Sequence, residues 1–183
     1  MSFTAEVRDE LSRCAPECEY CNLATLAALT RVCGTLSLVG RGHYRLQVAT
    51  ETGAVARTMI GLTHQILKLE TEFTVRRSVL HRVRNYLISL PDQPDLEKAL
   101  VLLGILDRSG SLVTGIPHHV VARDCCRRAY IRGSLIAGGF VADPRGDFHL
   151  EISVNGEGFA QALADLIGQT GVRARVNRRR SSF

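Results

Sequence analysis

The chain has 183 residues, 45% of them hydrophobic, with 23 basic and 18 acidic side chains and a formal net charge of +5. That apolar content implies a soluble globular protein with a core in one domain or two small fused ones. It carries no run long enough for a signal peptide or a membrane span, which predicts a cytoplasmic location. Six cysteines at irregular positions in such a chain read as reduced thiols rather than as a disulfide framework. The charge is moderate, so its distribution matters more than its sum. All basic residues except Lys68 and Lys98 are arginine, the side chain better suited to bidentate phosphate contact.

In chain order, residues 1–22 predict an N-terminal helix and a cysteine-containing segment. "LATLAALTRVCG" (23–34) follows as a helix with Ala24, Ala28 and Val32 on one stripe. "GRG" at 40–42 is a turn, and "HYRLQVATE" (43–51) alternates like a half-buried strand. A helix over 53–69, strands over 72–78 and 84–90, and a helix over 95–107 opened by Pro94 and Asp95 complete a first unit, 23–107, of the order α-β-β-α-β-β-α. Residues 108–120, rich in turn formers, read as a linker.

The pattern then restarts over 121–183. A helix beginning at 125, with Asp124 as its N-cap, carries Ala129, Gly133 and Ala137 at the positions of the first stripe. "DPRG" (143–146) is a turn whose flanking Asp143 and Asp147 serve turn chemistry. "DFHLEISVN" aligns Phe148, Leu150 and Ile152 with Tyr44, Leu46 and Val48, and a helix (156–171) and a strand (172–180) follow. The fourth strand and last helix of this unit are expected beyond Phe183. Small-residue stripes let backbones approach closely, so the two repeat-opening helices should pack together at the seam between the halves.

Candidate binding residues follow from alternation. In "VRARVNRRR" Val172, Ala174 and Val176 are expected to face the core, with Arg173, Arg175 and Arg179 outward. With Arg178 they make a basic ridge, and Arg76, Arg77, Arg82 and Arg84, with His81 at the turn, form its counterpart in the first half. A solvated edge strand protected by its charges is the plainer alternative. Cys14, Cys18 and Cys21 have the spacing of the cluster loop of radical enzymes that use S-adenosylmethionine, but the parallel barrel those enzymes need does not appear. A zinc site from these three and a fourth ligand is the competing reading. The preferred one makes Cys21, Cys33, Cys125 and Cys126 small apolar helix residues, and His118 and His119 a solvated pair.

Two such units, each opened by a small-residue helix, resemble the LAGLIDADG fold of homing endonucleases, an α+β pseudo-twofold architecture whose two sheets form a saddle over DNA. Laid on "LAALTRVCGTL" and "IRGSLIAGGFV", the motif puts its last acid at Cys33 and at Gly138. Neither offers oxygen to a hard divalent cation, so no nuclease activity is expected. "MSFTAEVRDELSR", "LAALTRVCGTLSLVGRG" and "RDCCRRAYIRGSLIAGGFVADPRGDFHLEI", in this order, look like the WhiA family of bacterial sporulation and cell-division regulators.

That resemblance implies a non-enzymatic DNA-binding transcription factor with no catalytic residue, no metal and no cofactor. Its partners would be double-stranded DNA, a WhiB-type iron–sulfur regulator and RNA polymerase. The family's helix-turn-helix region is not matched by these residues, which leaves a second reading: a protein-interaction module that docks a partner regulator while DNA affinity resides elsewhere.

Overall fold

The computed structural model describes residues 2–40, 42–77, 84–146, 148–179 and 182–183, with the side chains of Arg77 and Arg84 outside that description. Helix α1 (Phe3–Leu11) starts where the Ser2 hydroxyl accepts from the Ala5 amide at 3.3 Å. Helix α2 (Cys21–Cys33) leads into β1 (Gly34–Gly40) and β2 (His43–Thr50). Helix α3 (Gly53–Leu62) continues as a π turn over Thr63–Leu67 and stops at Lys68, whose φ of 56° is left-handed. Strands β3 (Glu72–Arg77) and β4 (Arg84–Leu90) complete an antiparallel sheet of order β1-β2-β4-β3, and α4 (Leu96–Leu102) follows. The second half supplies α5 (Asp124–Gly138), β5 (Gly139–Val141), β6 (Leu150–Ile152) and α6 (Glu157–Gly168).

Helices α2 and α5 make the largest contact between elements among the described residues, as the small-residue stripes require. Ala24, Ala28 and Ala129 are fully buried. At Gly133 a β-carbon would come within 2.8 Å of the Thr25 carbonyl oxygen and 2.9 Å of the Ala28 methyl, so only glycine permits this crossing. Thr25 turns its hydroxyl back to the Cys21 carbonyl at 3.0 Å and stays satisfied inside the seam. On the helix side of the sheet, Leu46, Val48, Ile88 and Leu90 are sealed against a core that also holds Leu26, Leu29, Val55 and Met59. Full burial of each such side chain contributes about 2 kcal/mol.

Several local expectations are corrected. The helix expected over 95–107 stops at Leu102, because Gly104 takes φ 68° and packs against Pro117, where a β-carbon would lie 2.6 Å from the ring. Asp95 holds the N-cap position at φ 67°, with its carboxylate on Lys98 at 2.6 Å rather than on a helix amide. Asp124 is the first helical residue, paired with Arg127, and Arg123 holds the cap position.

The largest correction concerns 172–180. No ladder strand forms over 172–179, Val172 is 58% exposed, and only Val176 of the expected inward set is even half-buried. The first half supplies the reason: in the order β1-β2-β4-β3 the third strand touches its sheet only through the fourth. In the second half the described residues beyond α6 make only isolated pairings. Arg179 bridges Ser182, and Phe183 exchanges two 3.0 Å backbone hydrogen bonds with Val154. Phe183 therefore sits against Val154 as Tyr86 sits against Thr50. With no ladder partner among the described residues, 172–178 lies beside α6 over a cavity of about 510 Å³ lined by Leu150, Ile152, Leu163 and Ile167. The expected match of Phe148 and Leu150 to Tyr44 and Leu46 fails in burial for the same reason: Phe148 is 89% exposed and Leu150 58%.

Candidate nucleic-acid interface

The pleat separates two faces of the first sheet. Pairing sets Thr35 against Gln47, Ser37 against Arg45, Gln47 against Ser89, Thr74 against Leu87 and Arg76 against Asn85. These positions alternate with the buried Leu46, Val48, Ile88 and Leu90, so they form the face turned away from the helices. That face is polar and rich in donors, with Arg45 and Arg76 as its exposed cations and Glu72 at one end. Gln47 donates its amide to the Ser89 hydroxyl at 3.2 Å, which orients both groups.

Of the expected arginines, Arg76 lies on this open face, and Arg45 lies there too. Arg45 was missed, although the alternation in "HYRLQVATE" that buries Leu46 and Val48 also assigns Arg45 to the opposite side. The pair Arg77 and Arg84 occupies the alternate register position, in line with Phe73–Ile88 and Val75–Tyr86. It does not belong to the open-face row. Arg82 and His81 lie outside the described residues, as do Asp147 and Arg180.

In the second half the arginines do not form one ridge. Arg173 and Arg175 are exposed along the irregular segment beside α6. Arg178 stacks over the Phe183 ring at 5.9 Å, while Arg179 is paired with Glu151 at 2.9 Å. Glu151 also holds His149 at 3.2 Å, so the charge of Arg179 is partly compensated.

The C-terminal ends of the seam helices contain the two motif positions. Burial pushes the Cys33 thiol up to about 12, and its Sγ donates to the Leu29 carbonyl at 3.0 Å, so it is a neutral packed thiol. At Gly138 a β-carbon would lie 2.5 Å from the Ser153 carbonyl oxygen and 2.8 Å from Val32, which leaves no room for a carboxylate-bearing side chain. Arg8 of α1 crosses these ends. Its guanidinium donates to the Gly139 carbonyl at 3.0 and 2.5 Å and to the Thr52 hydroxyl at 3.1 Å, in the neighbourhood of Cys33. A fixed cation therefore lies beside both positions to which the motif assigns acids.

Two halves with seam helices and antiparallel sheets on α+β topology define a LAGLIDADG-type protein. Two family models match the chain: the WhiA N-terminal LAGLIDADG-like domain over residues 19–106 and the WhiA LAGLIDADG-like domain over residues 127–183. The chain belongs to the WhiA family. A probable cell division protein WhiA from Heliobacterium modesticaldum is 38% identical over all of this chain and 58% of its own length. One from Desulfitobacterium hafniense is 40% identical over 99% of this chain and 56% of its own. The chain thus spans less than three-fifths of the curated relatives it matches.

Among solved structures, full-length DUF199/WhiA from Thermatoga maritima superposes with a TM-score of 0.74 at 17% identity, over 100% of this chain and 55% of that one. I-DmoI in complex with DNA and Mn gives 0.54 at 16% identity, over 84% and 80%. Both likenesses concern the fold. No helix among the described residues is long and apolar enough to cross a membrane.

Proposed function

We propose that this chain is the DNA-gripping, non-cleaving portion of a cytoplasmic transcription regulator of cell division and sporulation. The observation that carries the reading is a seam whose two acid positions are a neutral thiol and a glycine with no free space, with the Arg8 guanidinium close by. Phosphodiester cleavage by this fold type needs carboxylate oxygens on a divalent cation. A guanidinium in that position repels such a cation and attracts a phosphate instead. The open sheet face above it offers Arg45 and Arg76 to the backbone of a duplex, with Thr35, Ser37, Gln47 and Asn85 as neutral hydrogen-bonding partners.

The grip is thin, and this decides the size of the expected signal. Each phosphate neutralised on B-DNA contributes about 0.9 to the slope of log affinity against log salt, so Arg45 and Arg76 together account for about 1.8. Arg173 and Arg175 add a similar amount if the same duplex reaches the second half. Binding of this chain to a short duplex, measured by fluorescence anisotropy across a salt series, should give a slope that Arg45→Ala with Arg76→Ala flattens by that amount. Plasmid nicking in magnesium or manganese should stay at background. Metal-dependent nicking, or a slope unmoved by the double variant, overturns the reading.

A second reading is favoured by the pairing of Arg179 with Glu151 and by the few free cations seen on the described open face. In it, this portion docks a partner, a WhiB-type regulator or RNA polymerase, while the remainder of the longer protein holds DNA. Undetectable duplex binding at low salt selects this second reading.

A further inference from the structure

Four cysteines from two distant parts of the chain converge on one point. Cys18 and Cys21 enclose the turn that starts α2, and Cys125 and Cys126 lie in the first turn of α5. Their four sulfur atoms all lie within 4.8 Å of one another. Cys18 Sγ is 3.3 Å from Cys125 Sγ, 3.5 Å from Cys21 Sγ and 3.8 Å from Cys126 Sγ. All four are free thiols, and Cys21 and Cys126 are buried. Cys14 is not part of the group: it is exposed, with its sulfur directed at the Glu10 carbonyl at 3.8 Å. Sequence spacing groups Cys14 with Cys18, Cys21 and an open fourth position, whereas the structure brings Cys18 and Cys21 to Cys125 and Cys126.

We infer that Cys18, Cys21, Cys125 and Cys126 form a structural tetrathiolate site for a single zinc ion, which staples the N-terminal segment to α5 across the seam. Zinc binds thiolate sulfur at about 2.3 Å in a tetrahedron, which sets sulfur atoms about 3.8 Å apart. The distances around Cys18 match that edge, whereas four non-bonded thiols packed merely as small apolar groups have no reason to share one centre. A polynuclear iron–sulfur cluster distributes its thiolates over separate iron atoms and holds them further apart, so the geometry favours a mononuclear ion.

The surroundings suit the negative charge of such a centre. The N-terminal ends of α2 and α5 both point at it, and a helix N-terminus favours anions. Arg123 donates to Cys18 while its guanidinium covers the Tyr20 ring at 4.4 Å. Arg128 grips Glu17 through two bonds of 2.6 and 3.3 Å, holding the Cys18 turn against α5. Zinc binding needs the four sulfurs as thiolates, so any thiol protons they carry leave to solvent as the ion binds. The site is independent of the DNA reading, since it lies at the opposite ends of the seam helices from Cys33 and Gly138.

The test uses the 183-residue chain purified in reductant, without chelator, from zinc-supplemented cells. Elemental analysis should find about one zinc per chain, unchanged in Cys14→Ser and lost in Cys125→Ser and Cys126→Ser. Cobalt added to the chelator-stripped, reduced chain should develop the visible bands and sulfur-to-cobalt charge transfer of a tetrahedral tetrathiolate. This spectrum needs no folded variant. A chain that carries no zinc and gives no such spectrum, a visible iron–sulfur chromophore, or zinc retained in both Cys125→Ser and Cys126→Ser overturns the inference.

Discussion

Gly133 and Gly138 lie five residues apart on α5 and do different things. Gly133 sets the approach of the seam helices; Gly138 excludes a side chain from a position to which the motif assigns an acid. A methyl at 133 must displace the Thr25 carbonyl, so Gly133→Ala should destabilise the chain by about 1–3 kcal/mol, the usual penalty of overpacking. Thermal unfolding reads this, with exposed Gly61→Ala in α3 as the comparison of opposite sign: a β-carbon there meets nothing within 4 Å, and alanine in a helix should stabilise by up to about 1 kcal/mol. Restoring acids at both motif positions, Cys33→Asp with Gly138→Asp, should yield a less stable protein and no plasmid nicking in magnesium. Gained nicking would show that the glycine merely lacks chemistry rather than space. The small-residue stripe behind these residues was legible in sequence, because helical periodicity places Ala24, Ala28 and Val32 on one side without knowledge of the partner. The cysteine group was not: Cys18 and Cys125 are 107 positions apart. The signal that could have found it was the repeat itself, for the offset that sets Ala24 on Ala129 also sets Cys21 on Cys126.

Elements carried less information than their alternation suggested. The pattern in "HYRLQVATE" identified β2 and its buried side, yet "TVRR" was read as one basic group although Arg76 and Arg77 sit at alternate register positions. The pleat alone sets adjacent positions on opposite faces; what pairing adds is which of the two faces is the open one, and pairing is a property of two segments rather than one. Loops behave similarly. The segment after α4 was expected as a simple linker, but Asp107 Oδ1 accepts from the Ser109 amide at 2.8 Å, the Ser109 hydroxyl at 2.6 Å and the Ser111 amide at 3.0 Å. These bonds, the Ser109 hydroxyl foremost, hold the Asp107 carboxyl below the usual carboxylate range. A depressed value means that the loop's stabilisation is complete above the unfolded carboxyl's pKa, about 3.9, and is lost as pH falls through the lower folded value. Asp107→Asn should remove it at all pH values. Amide exchange at Ser109 and Ser111 reads the effect: faster in the variant at neutral pH, and converging with the parent chain once the carboxyl is protonated.

At the scale of the whole molecule the two halves share a seam but not a degree of completion. Among the described residues the first sheet has four ladder strands, and the second has two, of three residues each. A strand holds its shape through its neighbour's backbone, so a segment with no described ladder partner gains almost none of the ladder bonds that its sequence is suited to. Hydrogen exchange on this chain should therefore divide along the pseudo-twofold. Amides that β3 and β4 exchange should be protected, and those of 173–178, their counterparts by repeat, should exchange at nearly unprotected rates. Seam amides of α2 and α5 should exchange slowest, because opening them exposes Ala28, Ala129 and the shared core at once. Equal protection of 173–178 and 72–77 would mean that the second half completes its sheet by a pairing absent from this fold, such as strand addition from a second copy, and protection that rises with protein concentration would identify it.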